Sequence, residues 1–209
     1  MASSRFNITI DASGITGLAQ SLGQFDSAQL ATVSLQAVNT VAKHTYDTVR
    51  PRMNANINLT DAYLQDRMQL RLATNPLNPK AIIAARYRHT RLANYASKQL
   101  LQPVKHPSIA KGDPSRGIPK GMKAAGISVE VTRGGRKAIP NGFTMPLNNG
   151  NGIGVFTRSR TTREVKHRYG PSVYQLFRTS VDAMVGDIEQ ELQDALIVQA
   201  ERELQKAFR

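Results

Sequence analysis

The residues able to do chemistry in this chain are few, and their spacing suits none of the common sites. The four histidines, His44, His89, His106 and His167, include no two at the i, i+4 interval that sets ligands together on a helix face. There is no cysteine, which removes disulfides, thiolate metal sites and cysteine nucleophiles at once. No G-x-S-x-G elbow and no G-x-x-x-x-G-K-[ST] loop occurs. GIPKG and RGGRK hold glycine and lysine, but not in the strand–loop–helix setting that aims backbone N–H groups at phosphate. The middle of the chain has only three acids, Asp113, Glu130 and Glu164, a thin supply for a two-carboxylate hydrolase or a magnesium cage. The pattern predicts no enzyme, no cofactor and no metal site. It places His44 in a helix as a packing residue, and His106 and His167 on the surface.

Charge is the stronger signal. The chain carries 28 Lys+Arg against 15 Asp+Glu, a net +13. From Lys80 to Gly170 the balance is 18 against 3, or +15; the remainder has 10 against 12, or −2. The whole surplus therefore sits in the middle, where it favours a polyanion or a run of carboxylates on a partner. A non-specific nucleic-acid-binding protein is one reading of that excess. Sequence-specific DNA recognition fits less well, because the basic residues fall on loops and strands while the best helix is acidic. Tyr87, Tyr95, Phe143 and Phe156 are the candidates for an RNA-stacking sheet, and at strand spacing they read as core.

The elements that must position these residues follow from periodicity. RFNITI alternates as a strand. DSAQLATVSLQAVNTVAKHTYDTVR reads as a helix, opened by an Asp26–Gln29 capping pair and closed by Pro51, with Leu30, Val33, Val38, Val41, Ala42, Thr45 and Val49 on one stripe. DAYLQDR is a short helix; RMQLRL and AIIAARYR are strands joined across NPLNP by a loop of about five or six residues. Residues 102–125, rich in proline, glycine and lysine, read as a long basic loop. GISVEV is a strand, RGGR a turn, and AIPNGFTMPL and GIGVFTRS flank an asparagine–glycine tip as a hairpin. Residues 171–208 keep a helical stripe for a rod of about 55 Å if unbroken, with Gly186 its weak point and an acidic outer face. The fold class is α+β: one domain, 1–209, mostly antiparallel sheet with an N-terminal amphipathic helix and a long C-terminal helix. No stretch approaches the length of a membrane span, and the N-terminus has no signal-peptide pattern.

From residue 132 onward these segments resemble the minor tail protein Z family of tailed bacteriophages and prophages. A basic strand precedes Ile139-Pro140-Asn141-Gly142-Phe143, where the family has an "IPGAF"-like turn and Asn141 replaces the commoner glycine. An N-G tip at Asn149–Gly152, a strand bearing Val155, Phe156 and Arg158, and the helix entry Gly170-Pro171-Ser172-Val173 follow in the family's order. AVNTVAKHTYDTVRPRM matches the front helix with its "A-x-N-x-x-A" start. The likeness is strongest over 126–208. It implies a structural virion protein of the head-proximal tail end, a tail-completion or neck component assembled in the host cytoplasm. The implied partners are copies of itself in a homo-hexameric ring and other neck and tail proteins (a tail terminator, a head-completion or adaptor protein). Genomic DNA in the lumen is a further one. On that reading Lys105, Lys111, Arg116, Lys120 and Lys123 face DNA or an acidic partner, and Pro140, Phe143, Phe156 and Arg158 form an assembly hairpin. An assembly chaperone lost from the finished particle is the remaining alternative.

Overall fold

The computed structural model describes residues 5–11, 26–106, 111–148, 152–159 and 161–207. The chain forms two compact units. The first takes Met1–Met53, Asp61–Arg88 and Val173–Arg209; the second takes Asn54–Thr60 and His89–Ser172. The fold is α+β with antiparallel sheets, as the sequence predicts. The connector GITGLAQSLGQF lies outside the described residues.

In the first unit, helix α1 (Ser27–Asn56) opens on a reciprocal cap: Gln29 N–H donates to Asp26 Oδ1 at 2.7 Å, and Asp26 N–H donates to Gln29 Oε1 at 3.1 Å. The predicted stripe is buried from Val33 to Val49. Pro51 does not close the helix, which runs on to Asn56 with the proline inside it. Proline leaves the carbonyl of Asp47 without its helical donor, but Asp47 is exposed and water can take that bond. Beyond the proline, Met53 is fully buried, so burial outweighs the local penalty.

A short helix α2 (Asp61–Gln65) leads into strands β2 (Met68–Arg71) and β3 (Lys80–Arg86), and β1 (Arg5–Asp11) pairs on the other side of β3. Residues 72–79 connect β2 and β3, a longer loop than the sequence suggested. The C-terminal segment is two helices, α3 (Val173–Asp182) and α4 (Val185–Ala207). The break falls at Ala183–Met184, where Met184 N–H turns back to Val181 O at 2.7 Å and the Met184 side chain is buried. Gly186 lies in the first turn of α4, whose N–H groups have no intrahelical partner in any case. The 23 residues of α4 make a rod of about 35 Å at about 1.5 Å per residue.

Val33, Ala37, Val38, Val41 and Ala42 of α1 pack with Leu192, Leu196 and Ala200 of α4, and with Ala73 and Ala81. The alanines let the backbones approach closely. Asn39, within the A-x-N-x-x-A stretch, fastens α1 to the chain leaving β2: Ala73 N–H donates to Asn39 Oδ1 at 2.7 Å, and Asn39 Nδ2 donates to Ala73 O at 3.0 Å. His44 is not a packing residue. It is exposed, with Nδ1 2.6 Å from Glu191 Oε1 on α4.

The second unit is built from short strands. β4 (His89–Arg91) pairs with β11 (Tyr169–Ser172). β5 (Ala96–Pro103), β6 (Met122–Glu130) and β7 (Arg136–Ile139) form one sheet in that order. β8 (Gly142–Pro146), β9 (Ile153–Arg158) and β10 (Val165–His167) form another. Leu59, Leu92, Tyr95, Ile118, Ile127, Val129, Val155 and Phe156 are buried core residues of this unit. The Tyr95 hydroxyl donates to Pro171 O at 2.9 Å, which ties the chain entering α3 to the middle of the molecule's sequence.

Candidate interaction surface

The hairpin of the sequence reading is divided between two sheets. Its first arm bends at Pro140–Asn141, so that β7 pairs with β6 while β8 alone pairs with β9. Asn141 makes this bend without a left-handed backbone; among the described non-glycine residues only Arg163 has a positive φ, 57°. The Gln99 side chain joins the two sheets. Its Nε2 donates to Gly126 O, and its Oε1 accepts from Thr144 N–H at 3.1 Å and the Thr144 hydroxyl at 3.2 Å.

Cross-strand pairing sets Phe143 opposite Phe156 and Phe156 opposite His167, so the three rings stand in a row on one face of the β8–β9–β10 sheet. Ring centroids are 6.1 Å apart for Phe143–Phe156 and 4.5 Å for Phe156–His167, and Tyr169 extends the row at 4.4 Å. Gly154 leaves room for this row, since a Cβ there would stand 2.7 Å from Phe156 Cε2 and 3.0 Å from His167 Nε2. His167 is thus half-buried rather than a surface residue. Burial, with Arg91 adding repulsion, holds its pKa below the ordinary histidine value. Its Nδ1 shares a hydrogen bond with the Tyr169 hydroxyl at 3.0 Å.

Arginines frame the row. The guanidinium carbons of Arg116 and Arg158 lie 5.3 Å and 5.9 Å from the Phe143 centroid, within cation–π range. Arg116, Pro140, Phe143 and Arg158 line one cleft of about 290 Å³, so the structure brings the hairpin residues and one loop residue together. Arg158 and Arg163 share an adjoining cleft of about 330 Å³ with Asn141 and Ser159.

The basic loop is shorter than 102–125, because β5 extends through Pro103 and β6 begins at Met122. Lys105, Lys111, Lys120 and Lys123 are exposed and make no ion pair among the described residues. Arg116 differs from them. It is half-buried, and its Nε donates to Thr144 O at 3.1 Å, fixing the loop to β8.

The three acids of the region are all engaged in turns. Asp113 accepts from the Ser115 hydroxyl at 2.6 Å, and Glu164 lies 3.2 Å from Lys166. Glu130 accepts from Gly134 N–H at 2.9 Å and Arg136 Nη2 at 2.8 Å. The Gly134 N–H, followed by Arg136, holds the Glu130 carboxyl below the usual carboxylate range. Among the described residues no group of three or more histidines and acids can hold a metal ion.

Residues 14–209 match the family model described as prophage minor tail protein Z. The chain belongs to that family. No curated protein and no solved structure matches it. This minor tail protein is a structural component of a phage tail, it resides in the virion tail, and it meets other tail or head proteins of the phage. No described helix is long and apolar enough to cross a membrane.

Three residues that organise this surface escape a reading of the sequence. Gln99 lies in a stretch without alternation, and nothing local marks its amide as the tie between sheets. Tyr169 sits next to the helix entry rather than in a visible strand. His167 reads as exposed because its neighbours Lys166 and Arg168 are charged; only the pairing of β10 with β9 shows that it shares a face with Phe156.

Proposed function

We propose that this minor tail protein acts at the head-proximal end of the tail as a tail-completion subunit. In that role it forms a ring at the neck, joins tail to head and leaves a passage for the genome. The observation that carries the reading is the separation of charge. The second unit holds 15 Lys+Arg against 3 Asp+Glu, a balance of +12, while α4 holds 2 against 6, a balance of −4. A ring subunit needs two different, complementary faces, and a lumen that passes DNA gains from a cationic lining. The chain passes between its units four times, which supports treating 1–209 as one cooperative domain. A labelled copy in negatively stained virions tests the position: label at the head–tail junction is the expected result, and label elsewhere or absent overturns it. Reversing the charge of Lys105, Lys111 and Lys120 together should lower plaque yield through lost contact with DNA or an acidic neighbour; full yield would exclude that role for the loop.

The +12 unit also favours a second reading, a non-specific nucleic-acid-binding protein. Its mark is DNA binding by the free protein that weakens steeply with salt, in proportion to the phosphates contacted.

A further inference from the structure

Two exposed faces of this chain combine exposed apolar residues with opposite charge. On α4, the buried residues Leu192, Leu196 and Ala200 leave Asp194, Ile197, Val198 and Glu201 facing solvent. Ile197 and Val198 are 44% and 42% exposed. Two adjacent β-branched residues weaken a helix slightly and gain nothing in water. Covered by a partner, they return apolar burial.

The complementary face is on the β8–β9–β10 sheet. Val165 pairs with Arg158, and Met145 pairs with Gly154, so both share the face of the aromatic row. Met145 and Val165 are 39% and 40% exposed. Arg158, paired with Val165, and Arg163, two residues before Val165, have no ion pair among the described residues. A phosphate backbone would leave Val165 uncovered, whereas a helix with an apolar centre and acidic flanks satisfies both this residue and the arginines.

We propose that the outer face of α4 in one copy docks on this sheet face in the next. Ile197 and Val198 cover Val165, and Asp194 and Glu201 face Arg158 and Arg163. The inference rests on the ring reading and deepens it by naming the two surfaces. Because the faces differ, the contact is heterologous and propagates from copy to copy, closing into a ring where the rotation permits. Apolar burial supplies most of the affinity; the rim charges set approach and register.

The absence of cysteine makes a clean test. Full-length Val165→Cys and Ile197→Cys variants, each with a single thiol, are treated with a short bis-maleimide separately and as a mixture, one of them carrying a mass tag. The expected result is a tagged–untagged covalent dimer in the mixture and no dimer in either variant alone. Adding Arg158→Glu to the first variant should cut the yield about tenfold, which corresponds to about 1.4 kcal/mol of docking energy. Adding Glu201→Arg to the second should then restore it. Dimers formed by either variant alone would show a like-with-like contact and overturn the proposal. Protection of the introduced thiol at position 165 by duplex DNA, without cross-linking in the mixture, would overturn it in favour of nucleic acid. Sedimentation of the wild-type chain separates the two levels. An oligomer with no mixed cross-link refutes this docking and leaves the ring standing; a monomer at all concentrations refutes both.

Discussion

Replacing Phe156 by alanine tests the aromatic row directly. Phe156 is 8% exposed and lies between Phe143 and His167, at 6.1 Å and 4.5 Å between ring centroids. Truncating a buried phenylalanine costs about 3–5 kcal/mol from lost transfer energy and the cavity left behind. The neighbouring cleft of about 290 Å³ beside Phe143 gives water a route to part of the vacated space, which places the cost near the lower end, about 3 kcal/mol. Against a typical total of about 5–15 kcal/mol the chain should remain folded. Urea unfolding should show a lower midpoint with an unchanged slope. A second readout comes from the same change: His167 loses a desolvating neighbour, so its depressed pKa should rise toward the ordinary value, measured by NMR titration of its ring protons. A loss under about 1 kcal/mol with an unmoved His167 titration would refute the claim that these rings form one packed row.

The His167 shift also makes stability depend on pH. Because burial lowers its folded pKa, the unfolded chain binds the proton first, so its contribution is present above about pH 6.5 and is lost as pH falls toward the folded value. His167→Phe should flatten that part of the urea midpoint-versus-pH curve; an unchanged slope would contradict it. Gly126→Ala should be severe: φ is +128°, and a Cβ would stand 2.7 Å from Ile139 O, adding a backbone clash to about 1–3 kcal/mol of strain. Gly134→Ala, with φ +75° and open space around it, should cost only about 1–2 kcal/mol, and equal melting losses for the two would refute the distinction. Asn39→Ala leaves both backbone groups of the buried Ala73 without their partner and should cost about 1–3 kcal/mol in denaturant titration. A loss within about 0.5 kcal/mol would show that water replaces the amide without penalty.

Elements with a clear period were legible from the residues: the capped start of α1 and its stripe, β1, the β2–β3 pair, the core of β6, and the β8–β9 hairpin. Those hidden lacked a local signal. β5, ASKQLLQP, is half-buried on both faces and does not alternate, so residues 96–101 suggested no element and its last two residues read as the start of the basic loop. β4 and β11 are short and pair across 78 to 83 residues, and β11 contains glycine and proline, which read as the entry to the C-terminal helix. Pro51 misled because a local steric rule was outweighed by burial of Met53. The site followed the same division. Phe143 and Phe156 stood out as aromatics at strand spacing and Arg158 through the family resemblance, but the partners that complete the surface come from elsewhere. Arg116 belongs to the loop, His167 to β10, and Gln99 to an unrecognised strand.

The α1–α4 core has a consequence for the order in which the protein is made. Val33–Ala42 buries much of its apolar stripe against Leu192, Leu196 and Ala200, which are synthesised some 150 residues later. During translation the front helix therefore waits with its stripe uncovered while the whole basic unit is produced. That interval exposes the nascent chain to off-pathway association. The last helix is the piece that closes the first core, and in the proposed docking its other face recruits the neighbouring copy. A subunit whose last helix is missing or unfolded would present neither a finished core nor a docking helix. One element would then license both completion of the monomer and its entry into an assembly, keeping truncated chains out.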